Sequence, residues 1–109
     1  MTGVQAALVY CPFPDRDSAR KIAERLLEAR LIACANIIPG VESVFEWEGR
    51  CSSELEVGVL FKITAARRDA LVEKLGTLHR YDTPAVVAWH CDGAHPATLD
   101  WLMETTQSA

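Results

Sequence analysis

Cys11 and His79 are the side chains of this 109-residue chain with the widest chemical reach. A thiolate and an imidazole together suit copper or zinc. The same pair can serve as nucleophile and base, although no third orienting group is evident. The plainer reading of Cys11 is a small buried hydrophobe at a strand end. Cys34, Cys51 and Cys91 complete the cysteines, and no CxxC pair occurs, so a zinc knuckle or dithiol redox centre has no support. His90, Cys91, Asp92 and His95 crowd together. Adjacent strand residues point to opposite faces, however, and a metal site needs donors that converge. Asp82 offers a carboxylate from the loop that holds His79, with nothing in the sequence to fix its direction.

A second group is acidic. Glu42, Glu46, Glu48, Glu54 and Glu56 gather in one stretch, where two held close together would supply an acid and a base. The plainer reading is a solvated or intersubunit face carrying salt bridges. Lys62 stands between Phe61 and Ile63, and a cation in an apolar strand needs a partner. Glu56, another nearby carboxylate, or a cleft between subunits would provide one. Arg67 and Arg68 fall at the start of a predicted helix, where the macrodipole disfavours cations, so they read as surface or anion-binding groups. Trp47, Trp89, Trp101, Tyr10 and Tyr81 read as packing residues, largely at interfaces.

The elements that must position these residues follow from periodicity. Residues 4–11 form an apolar, β-rich run suited to a central strand, with Pro12 and Pro14 ending it. Asp15 or Asp17 caps a helix whose Ala19, Ile22, Ala23, Leu26 and Leu27 share a face, and which ends near Arg30. Residues 31–38 form a strand, and Pro39-Gly40 bends or bulges it without necessarily ending it. The extended chain then runs to Gly49-Arg50, with Val41, Ser43, Phe45 and Trp47 on one face. A turn is expected around Cys51-Ser52-Ser53, followed by a return strand over 54–64. Thr64 caps a helix over 65–78, residues 79–84 form a loop, 85–91 a strand and 97–105 a short helix. The order β-α-β-β-α-β predicts an α+β, ferredoxin-like sandwich of one antiparallel sheet with two helices on one face, plus a short C-terminal helix. Residues 1–109 read as a single domain.

Charge and composition narrow the partners. Eleven basic and 15 acidic residues give a net charge of -4, which argues against nucleic acid. No apolar run approaches the ~18 residues of a membrane span. Residues 1–4 carry no basic stretch ahead of an apolar core, so no signal peptide is expected and the protein is expected in the cytoplasm.

Two helices cover one sheet face only. Leu8, Tyr10, Val86, Trp89, Phe45, Trp47, Val59 and Phe61 are too many apolar residues for that one covered layer. Large exposed apolar patches usually mark interfaces. The sheets are therefore expected to pack against one another in a closed homo-oligomer.

Residues 33–40, reading ACANIIPG, followed by Ser43, Phe45, Trp47 and Gly49, resemble the signature of the CutA divalent-cation tolerance proteins. Cys11 with Pro14-Asp15, Glu54 and Glu56, Lys62, the His79, Tyr81 and Thr83-Pro84 loop, and Leu99 with Trp101 match in the same order, so the resemblance covers essentially the whole chain. It implies a homotrimer whose long hairpins add strands to neighbouring subunits, and a fold related to PII-type signalling proteins. It also implies a role in tolerance of divalent cations, with copper bound by some members and no organic cofactor; no enzymatic activity follows from it, and the chain is not expected to be an enzyme. Matched ligands for copper or another divalent cation would be Cys11 and His79. Ala85 stands where the family commonly has a glutamate ligand, Arg80 where it often has proline, and Ile63 where it has threonine. The alternative it implies is a PII-like trimeric sensor of a small anionic ligand, with Lys62, Glu56, Tyr81 and Trp47 at the subunit cleft or interface.

Overall fold

The computed structural model of the chain describes residues 4–107. The opening residues 1–3, part of the stretch expected to carry no leader, lie outside that range. Strand β1 (Ala6–Phe13) occupies the middle of a four-stranded sheet of order β2-β3-β1-β4. Helix α1 (Arg16–Glu28) follows, then β2 (Cys34–Trp47), β3 (Arg50–Thr64), α2 (Arg68–Leu78), β4 (Val87–His90) and α3 (Pro96–Thr105). Every pairing is antiparallel, and the ferredoxin-like expectation holds.

The core follows from alternation along β1 and β3. Ala7, Val9, Cys11 and Phe13 share one face with Val59, Phe61 and Ile63, and all are buried against Ala19, Ile22 and Leu26 of α1 and Leu71 and Leu75 of α2. Each large aliphatic side chain enclosed there contributes about 1.5–3 kcal/mol of transfer free energy. Asp15 caps α1 by accepting the Ser18 amide at 2.8 Å. At the other end Arg30 turns left-handed at φ 63°, and the Leu31 amide reaches back to the Leu26 carbonyl at 3.0 Å, which closes the helix. Thr64 makes no side-chain capping bond, and α2 is instead entered through a 3-10 turn at Ala65–Arg67.

Several boundaries differ from the sequence expectation, and β2 begins at Cys34 where a strand from residue 31 is expected. Strand β1 continues through Pro12 to Phe13, where Pro12 lies opposite Gly58 near the strand's end. Strand β4 is shorter than the expected 85–91, because pairing with β1 covers only Ala7 to Tyr10. The hairpin turn is at Glu48-Gly49, and Cys51, Ser52 and Ser53 are paired strand residues opposite Glu46, Phe45 and Val44. Glu48 and Gly49 both take positive φ, 52° and 78°, which matches the twist of a two-residue hairpin loop.

Strand β2 does not end at Pro39-Gly40. Ile38 faces Gly58 while Val41 faces Glu56, so one extra residue is absorbed as a bulge and Gly40 takes φ 77°. The resulting arms of 14 and 15 residues carry the hairpin far beyond the body, and the molecule measures 50 × 27 × 22 Å.

Helix α3 closes one end of the sheet, with Leu102 against Ala6 and Ala33. Two guanidiniums hold its last turn: Arg67 donates to the Thr106 carbonyl, and Arg30 to the Thr105 carbonyl at 3.3 Å. A cation is favoured at a helix C-terminus. The position of Arg67 is thus explained by α3, and not by the helix it precedes.

Candidate functional site

Phe13, the last residue of β1, starts a stack of rings. The His79 imidazole lies on it at 4.6 Å between centroids and 24° between planes, and Tyr81 lies against His79 at 4.5 Å. Helix α2 delivers His79 as its C-cap. Both imidazole nitrogens are engaged there. Nε2 donates to the Pro12 carbonyl at 2.7 Å, and Nδ1 accepts the Tyr81 amide at 3.1 Å. These two bonds define the neutral Nε2–H tautomer.

Cys11 lies on the helix-covered face and is fully enclosed. Its thiol makes a weak 3.7 Å contact to the same Pro12 carbonyl that His79 uses. Burial, reinforced by the negative charge of Glu56, pushes the thiol up to about 12. A thiol held protonated in this way is neither a nucleophile nor a ready metal ligand at neutral pH.

Glu56 lies one residue beyond the last β1–β3 pair, Phe13 with Val57, and is nearly buried. Tyr81 donates its hydroxyl to Glu56 Oε2 at 2.7 Å. Burial first, then that hydrogen bond and the charges of Glu56 and Glu54, hold the phenol above its ordinary range. Arg80, at the position where the resemblance leads one to expect proline, forms an exposed ion pair with Asp15 at 3.2 Å. It ties the 79–84 loop to the cap of α1.

The sequence-derived candidates therefore separate. Cys11, His79, Glu56 and Tyr81 meet around the end of β1. Lys62 lies away from them on the sheet face opposite α1 and α2, flanked by Leu8 and Cys34 in register, and does not pair with Glu56. Trp47 is out at the hairpin turn opposite Arg50, half exposed. Asp82 is exposed and stands outside the hydrogen bonds that tie His79 to Pro12 and Tyr81 to Glu56. The residues missed by sequence reasoning are Phe13, which supplies the stacking surface, and Pro12, which supplies a backbone acceptor and therefore leaves no side-chain signal. Two open depressions of about 460 and 570 Å³, one beside Arg67 and Met103, the other beside Leu31 and Lys74, lie elsewhere and include none of these candidates.

The sequence model of the CutA1 divalent ion tolerance protein family matches residues 7–105. The chain belongs to the CutA1 divalent ion tolerance family. It is 38% identical over 100 residues to the divalent-cation tolerance protein CutA of Pyrococcus horikoshii, covering 92% of this chain and 97% of that one. It is 35% identical over 105 residues to the chloroplastic protein CutA of Arabidopsis thaliana, covering 96% of this chain and 58% of the relative. The chain thus spans about six-tenths of the plant protein's length. The crystal structure of CutA1 from Ehrlichia chaffeensis superimposes with a TM-score of 0.92 at 30% identity, covering 98% of this chain and 100% of that one.

Membership in the CutA1 family raises the question of a metal, and the donors among the described residues do not fit one. The Cys11 sulfur is enclosed, both His79 nitrogens are engaged, and the neighbouring position 85 is alanine. Among the described residues no three histidine, cysteine or carboxylate side chains converge on a common point. None of the described helices is long and apolar enough to cross a membrane.

Proposed function

We propose that this chain serves divalent-cation tolerance as a closed homotrimer, acting by assembly and binding and not as an enzyme. The observation that carries the reading is the uncovered sheet face. Ile38, Val87 and Trp89 are each about half exposed on the sheet face opposite α1 and α2, which α3 covers only at its end beside Ala6, and the hairpin projects Phe45 and Trp47 beyond the body. A surface this apolar on a chain of 12.0 kDa is costly in water and is covered by subunit contact.

The cation response is not routed through Cys11 and His79. Copper binding at that pair would require deprotonating an enclosed thiol and breaking a His79 hydrogen bond, so that pair is not a tight copper site. Titration with Cu(II) and Zn(II), followed by tryptophan fluorescence, tests this on the wild type and on a Cys11→Ala, His79→Ala double variant. Equal weak binding by both is expected. Tight binding lost in the double variant would restore the pair as the ligands.

A PII-like reading, in which the trimer senses a small anion at the subunit cleft, is favoured by one observation. Lys62 is a half-buried cation with no counter-ion among the described residues of its own chain. A thermal-shift screen of nucleotides and small carboxylates tests it: a melting point raised by one of them and not in Lys62→Met supports it, and no response to any rejects it.

A further inference from the structure

Lys62 and Glu54 are charges of opposite sign that form no ion pair among the described residues. Lys62 emerges from the sheet face opposite α1 and α2, between Leu8 and Cys34, and Trp89 lies in register beyond Leu8. No acid or acceptor among the described residues reaches it. A cation on an apolar face that becomes covered needs a counter-charge.

The hairpin holds the counter-charges. Register puts Phe45 and Trp47 on the same face as Glu54 and Glu56. Tyr81 occupies Glu56, and Glu54 is exposed with no ion pair among the described residues. This face is apolar at its tip and acidic nearer its base. The open sheet face is apolar around one cation. The two surfaces are complementary in hydrophobicity and in sign.

We propose that the aromatic face of each hairpin lies on the open sheet face of a second copy of the chain, and that Lys62 pairs there with Glu54 of the partner subunit. The pairing rests on the trimer reading above and adds to it the residues that fix register between subunits. Apolar contact alone permits sliding, whereas one desolvated charge pair admits a single alignment.

A charge swap tests the pairing by mass photometry over a dilution series of the full chain, with far-UV circular dichroism to confirm that each variant folds. Lys62→Glu and Glu54→Lys should each raise the concentration of half-dissociation by about tenfold or more, and the combined swap should return to within about threefold of the wild type. Should Lys62→Glu lose its fold, Lys62→Met replaces it. Glu54→Lys then adds no further penalty in the Lys62→Met background, because the repulsion it creates is gone. A trimeric wild type whose single variants assemble as tightly as it does overturns the pairing alone. So does a swap no better than the worse single variant, or a Glu54→Lys penalty that is undiminished in the Lys62→Met background. A wild type that stays at 12.0 kDa at every concentration overturns the trimer reading and the pairing with it.

Discussion

Tyr81 donates its hydroxyl to Glu56 at 2.7 Å, reaching the carboxylate just past the point where β1 stops pairing with β3. The bond joins the loop after α2 to the base of the hairpin. Its donor is held in place from behind by the His79 ring, which itself rests on Phe13. Loop, sheet and hairpin are thereby fixed to one another around the end of a single strand.

Tyr81→Phe keeps the ring stack and removes only the hydroxyl. Hydrogen bonds to charged groups are worth about 1.5–3 kcal/mol, and this one is partly open to solvent, so a loss of about 1–2 kcal/mol is expected. Urea denaturation read by far-UV circular dichroism measures it. An unchanged midpoint would mean that water replaces the phenol at no cost.

Alkaline pH should weaken the fold through the same cluster. The Cys11 thiol is raised from 9.0 to about 12 in the folded chain, and the Tyr81 phenol is raised as well. Between the unfolded and folded values the native state keeps a proton that the unfolded state releases, so stability falls as pH rises. The contribution is complete below about pH 9 and declines from there towards about 12. Denaturation midpoints measured across this range should fall more steeply for the wild type than for a Cys11→Ala, Tyr81→Phe variant. Equal slopes would show that other groups govern alkaline unfolding.

Cys11 should resist alkylation. An enclosed thiol that stays protonated at neutral pH reacts through opening of the surrounding structure. Peptide mapping after iodoacetamide treatment at pH 7.5 should show Cys11 modified at least about a hundredfold more slowly than in urea-unfolded chain. Faster reaction than a free thiol would instead mark Cys11 as an activated nucleophile, and would reopen the enzymatic reading.

Gly58→Ala should be costly although the backbone there is ordinary strand. A Cβ at that position would stand 2.6 Å from the Tyr10 hydroxyl and 3.0 Å from its ring. The ring must move, at a cost of about 1–3 kcal/mol. Tyr10→Phe in the same background should recover part of that loss, because the closest atom is removed. Full stability of Gly58→Ala would show that the Tyr10 ring moves freely off Gly58.

Much of the fold was legible in the sequence because its signals are local. The α1 stripe of Ala19, Ile22, Ala23 and Leu26 was visible, as were a cap at Asp15 or Asp17, of which Asp15 is the one used, and a bend or bulge at Pro39-Gly40. The hairpin turn was misplaced because a glutamate gives no hint of left-handed backbone, and Glu48 adopts it only because both strands close around it. Arg67 was misread for a different reason. Its acceptor belongs to α3, far away in sequence, and is a backbone carbonyl. The site shows the same divide. Cys11 and His79 could be named from residue type, but their engagement with the Pro12 carbonyl depends on tertiary placement that no spacing encodes.

The solution mass of the 109-residue chain at micromolar concentration tests the account most directly. Sedimentation equilibrium should give about 36 kDa, three chains of 12.0 kDa, because the sheet face opposite α1 and α2 and the hairpin cover one another only in an assembly. A single species of 12.0 kDa would contradict it, since Trp89, Val87 and Ile38 would then be stably exposed to water.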